Sequence, residues 1–87
     1  MKSDVQRVHD LVSACRPLFA GQEPHIQSAA LADLVACWLA GNVIQGDQAK
    51  TDAYREGLLQ AHIELVRRLI PVNYKQLIEP ELKRRRH

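Results

Sequence analysis

The stretch from Pro24 to Ala40 restricts the fold more than any other part of this sequence, because its only polar side chains are His25, Gln27, Ser28 and Asp33. Pro24 suits the first turn of a helix, where its missing N–H is not needed, and Gly41 suits the left-handed position just past a helix end. The spacing therefore predicts a helix over 24–40. At roughly 100° per residue, Ile26, Leu31, Leu34, Val35, Trp38 and Leu39 fall on one broad arc. Ala29, Ala32, Ala36 and Ala40 cover most of the remainder. A helix apolar nearly all round needs covering on more than one side.

The flanking segments are read as the other walls of a bundle. Ser3 and Gln6 have the spacing of a capping box, and Val5, Val8, Val12, Cys15 and Phe19 then recur at steps of three and four. This predicts a helix over 3–16, ended or kinked by Pro17, which removes a backbone donor, with Gly21 closing the short turn that follows. Asp47 is a good N-cap for a third helix over 47–70, which Pro71 should stop. Its apolar arc includes Tyr54, Leu58, Leu65 and Leu69, and Lys50, Glu56, Gln60 and Glu64 lie opposite. Between Val72 and Glu79 there is room for a short helical turn, and Pro80 introduces a basic tail. The expected architecture is all-α: a small three-helix bundle with a short C-terminal helical turn, in one domain over 1–79 with a tail over 80–87.

Size adds a second constraint. A chain of 87 residues buries only roughly 60% of its unfolded surface. Its aromatic supply is limited to Phe19, Trp38, Tyr54 and Tyr74. Small scaffolds of this kind often recruit a disulfide, a metal or a second subunit. Cys15 and Cys37 lie in the middle of apolar helical patterns, and the opening residues lack the apolar run of a secretory signal, so reduced thiols in a cytoplasmic setting are expected. A second subunit is then the simplest cover. The alanine stripe allows close helix approach, which makes a homodimer the expectation, with Ala29, Ala32, Ala36, Ala40, Trp38 and Leu39 at the interface.

Polar residues within apolar arcs are the informative exceptions. Pairing the second and third helices antiparallel about Ile44 places Asp33 opposite Arg55, suggesting a shielded ion pair. The same register puts His62 opposite Ile26, near His25. Neither histidine has the local spacing of a structural zinc site, so no metal is expected. The serines lie near helix starts or on polar faces rather than in a strained elbow, and neither Cys15 with His9 nor Cys37 with His62 has an orienting carboxylate. Gly41 and Gly46 flank a turn that lacks the Lys-Ser/Thr of a phosphate loop. Enzymatic activity and bound cofactors are therefore not expected, and no apolar run approaches the ~20 residues of a membrane span.

The net charge of +2 is concentrated at one end. Lys83, Arg84, Arg85 and Arg86 supply four positive charges, while residues 1–82 carry 8 basic against 10 acidic side chains. Basic clusters contact phosphates with salt-dependent affinity, so a small nucleic-acid-associated regulator acting through this tail is the alternative function. The leading expectation is a non-enzymatic helical interaction module, homodimeric, acting as adaptor, inhibitor or regulator through a partner protein.

Overall fold

A computed structural model describes residues 1–86. The chain is all-α as expected, 83% helical, with three principal helices and no strand among the described residues. Backbone hydrogen bonds are therefore largely local, and side chains must supply the tertiary structure. The principal helices are α1 (Asp4–Phe19), α2 (Pro24–Ala40) and α3 (Gln48–Asn73). A π-helical segment, Tyr74–Ile78, follows α3 and leads into α4 (Glu79–Arg85). The chain divides into two units, Met1–Ala36 and Cys37–His87, with the division falling inside α2.

In the first unit, Ser3 caps α1 by accepting the Gln6 N–H at 3.1 Å. The reciprocal half of the capping box is not made, because the Gln6 side chain donates to Asp10 Oδ1 at 2.8 Å instead. Lys2 Nζ meets the other Asp10 oxygen at 2.7 Å, and it is the largest cause holding that carboxyl below its ordinary pKa. Pro17 does not end the helix. Its fixed φ is compatible with helical backbone, so it removes one donor while α1 continues to Phe19, and Ala20 N–H still reaches Arg16 O at 3.2 Å. Gly21, at φ 80°, then reverses the chain, and Gln27 Nε2 ties the start of α2 to the Phe19 carbonyl at 2.8 Å.

The bounds of α2 are those the sequence indicated, although its C-terminus is closed differently. Gly41 is not left-handed: among the described residues only Gly21 and Gly46 have positive φ. Asp47 caps α3 as expected, its Oδ1 accepting the Lys50 N–H at 2.9 Å.

At the other end of α3 the expectation of a stop at Ile70 is overturned. Pro71 lies inside the helix, and Tyr74 N–H points to both Ile70 O and Pro71 O. The helix then widens, and Glu79 N–H donates back to Tyr74 O across a five-residue turn. A π turn of this kind absorbs a locally disrupted hydrogen-bond ladder without ending the helix. Pro80 lies in the first turn of α4, where its missing N–H is tolerated. Much of the stretch expected to be a tail is thus helical.

The apolar faces read from the sequence are present, and they are open. No hydrophobic side chain among the described residues is buried; Thr51 alone is, at 2% exposure. Val5 and Leu11 on α1 and Leu31 and Leu34 on α2 all remain more than half exposed. Units of about 40 residues or fewer seldom sustain a core without a covalent, metal or subunit aid.

Candidate interaction surface

The best-defined polar construction in the chain is the joint between the end of α2 and the start of α3. A helix leaves its last four carbonyls without intrahelical partners. Here all four are met. Cys37 O accepts the Gly41 N–H at 3.1 Å, and Trp38 O accepts Asn42 Nδ2 at 2.7 Å. Leu39 O accepts both the Asn42 N–H and Arg55 Nε, each at 3.0 Å. Ala40 O accepts Arg55 Nη2 at 2.7 Å. Arg55 Nε also reaches Asn42 O at 3.1 Å. A guanidinium at a helix C-terminus additionally faces the negative end of the helix dipole. Asn42 and Arg55 do what a left-handed glycine would have done, which is why Gly41 needs no positive φ.

Thr51 pins the intervening loop. Its hydroxyl accepts the Ile44 N–H at 2.9 Å, and its one proton lies within reach of Ile44 O at 3.0 Å and Asp47 O at 2.9 Å. Seven residues farther along α3 than Arg55, the His62 ring lies 5.4 Å from that of Trp38, tilted by 54°. The rings of His62 and Trp38 therefore meet, and Arg55 lies against residues 39–42. Asp33 is exposed on α2.

This joint fixes the end of α2 while leaving its surface uncovered. Ala29, Ala32, Ala36 and Ala40 are all exposed, Trp38 is 44% exposed, and Leu39 is half-buried. A second open stripe runs along the far half of α3 and through the π segment. There Val66, Leu69, Ile70, Asn73, Tyr74 and Ile78 line a shallow groove that the sequence reading did not identify.

The basic cluster is placed on α4. Lys83 Nζ pairs with Glu79 at 3.1 Å and Arg85 Nη2 with Glu81 at 3.0 Å, each one turn away. Among the described residues no three His, Cys, Asp or Glu side chains gather where they could hold a metal ion. No helix among them is long and apolar enough to cross a membrane. No protein-family model, curated protein or solved structure matches this chain.

Two substitutions test the joint. Hydrogen bonds to a charged donor contribute about 1.5–3 kcal/mol, so Arg55→Met should lower the urea-unfolding free energy by about that much. Arg55→Lys should recover only part of the loss, because an ammonium cannot reproduce the planar fork. Thr51→Val keeps the shape and strands the Ile44 amide, at a cost of about 1–3 kcal/mol. Thr51→Ser should remain close to the parent. If Arg55→Met unfolds with the parent midpoint, the guanidinium clamp contributes nothing to the fold.

Proposed function

We propose that this chain is a non-enzymatic helical interaction module that associates with a second copy of itself and acts by binding. The observation that carries this reading is the absence of any buried hydrophobic side chain among the described residues, in a chain whose side chains are 46% hydrophobic. Apolar surface of that extent is removed from water at roughly 25 cal/mol per Å², and a soluble monomer rarely leaves such patches open. A twofold contact between identical chains is the commonest way to cover them.

The α2 face supplies one contact surface. Its alanines let a second helix approach closely, and Trp38 and Leu39 add large side chains at its C-terminal edge. The Arg55 clamp holds the last turn of α2 in place. An adaptor or inhibitor role toward a different protein would use the same exposed surface.

Sedimentation equilibrium tests the reading. The chain should run at twice its 9.9 kDa mass at high micromolar concentration. Ala36→Glu retains a good helix former while placing a charge on the proposed contact, and it should weaken association at least about tenfold, since an unpaired charge at an interface costs several kcal/mol. A folded species of 9.9 kDa under these conditions overturns self-association.

A further inference from the structure

Charge is divided unevenly along the chain. Residues 66–86 carry seven basic side chains (Arg67, Arg68, Lys75, Lys83, Arg84, Arg85 and Arg86) against two acidic ones, a net of +5. Residues 1–65 carry 5 basic against 8 acidic, a net of −3. All seven basic residues are exposed. The two acids, Glu79 and Glu81, are half-buried and paired with Lys83 and Arg85. The same segment, built from the end of α3, the π segment and α4, holds the apolar groove of Val66, Leu69, Ile70, Tyr74 and Ile78. Ile78 and Leu82 line a further hollow beside Arg85. Each of these apolar side chains is 40% exposed or more.

We propose that the segment 66–86 binds an anionic phospholipid surface, lying along the headgroups with its apolar side chains towards the acyl boundary. A helical segment that joins an open apolar face to a basic surplus has this preference, and it lies on a bilayer rather than crossing it. The surplus is what sets this segment apart from the other open faces. Within α1 two arginines are balanced by two aspartates, and α2 has Asp33 and no lysine or arginine.

The attraction does not require every basic side chain to touch lipid. The Debye length is about 10 Å at 0.1 M salt, and a helix with its side chains is about 10–12 Å across. A basic side chain on any side of the segment therefore still feels the surface potential, and the long stems of lysine and arginine let their charges reach towards it. Each basic residue near an anionic leaflet tightens binding about fivefold. The apolar groove favours lipid over nucleic acid as the source of negative charge. A phosphate backbone would meet the same charges while leaving Val66, Ile70 and Ile78 in water, whereas the acyl boundary accepts them. Tyr74, with an apolar ring and a polar tip, is the kind of side chain that sits at headgroup level.

Co-sedimentation of the full chain with vesicles tests the proposal, and it reads binding whether the chain is a monomer or a dimer. Vesicles of mixed phosphatidylcholine and phosphatidylserine should bind the chain at low salt, and vesicles of phosphatidylcholine alone should bind it at least about tenfold more weakly. Combining Arg84→Gln with Arg86→Gln should weaken binding to the mixed vesicles about 25-fold, at about fivefold for each charge. Ile70→Gln keeps the net charge while removing an apolar side chain from the groove, and it should cost about tenfold. A parent that ignores the mixed vesicles, or binds both kinds alike, overturns the proposal. An Ile70→Gln variant that binds like the parent overturns it too, because charge alone then holds the chain. Binding to a short DNA duplex without binding to the mixed vesicles would assign the basic segment to nucleic acid instead. Circular dichroism checks that each variant keeps its helix, and Ile78→Gln takes the place of Ile70→Gln if that variant loses it.

Discussion

Ordering a residue of backbone costs roughly 1–2 kcal/mol, and in most domains a buried apolar core offsets that cost. This chain orders most of its residues into helix and buries a threonine hydroxyl instead of a core. That imbalance governs everything else about it. Short helices are marginal in water on propensity alone, and we propose that the stability of α1, α2 and the far half of α3 is completed by surface that the single chain leaves uncovered. The apolar faces are neither scattered nor random. They cover one side of α1, most of the surface of α2 and a groove along the far half of α3, the form in which helices present themselves to other helices.

Against that open apolar surface, the polar joint between α2 and α3 has its helix-end carbonyls satisfied within the chain. Four orphan carbonyls are matched by the Gly41 and Asn42 backbone amides, the Asn42 side chain and the Arg55 guanidinium. The loop between them is held by a single hydroxyl on Thr51. This division of labour has a functional consequence. A joint made of directional hydrogen bonds sets the position of Trp38 and the last turn of α2 without consuming the apolar faces, which stay available for binding.

What was legible in the sequence follows from how local each signal is. The bounds of α2 are written in Pro24 and Gly41, and the starts of α1 and α3 in Ser3 and Asp47, all within a turn of the helix ends they mark. The C-terminal ends of α1 and α3 are not legible in the same way, because Pro17 and Pro71 look like terminators whereas each removes only one donor, and the widened Tyr74–Ile78 turn lets the helix continue beyond α3. Arg55 looks like a charge in need of a carboxylate, and the backbone carbonyls it reaches lie 13 to 16 residues away, where no side-chain pattern announces them. Thr51 carried a faint signal, a hydroxyl in the first turn placed to bond the carbonyl four residues back. The groove along the far half of α3 is not legible because a four-residue row such as Val66, Ile70, Tyr74 and Ile78 drifts around an α-helical wheel, and nothing in the sequence marks the π turn at its end.

If this fold is completed by association, thermal unfolding followed by circular dichroism over a hundredfold range of chain concentration will reveal it. A partner that binds only the folded chain stabilises it by mass action, so the account predicts a Tm that climbs steadily with concentration. A cooperative transition whose Tm is the same at every concentration would contradict it.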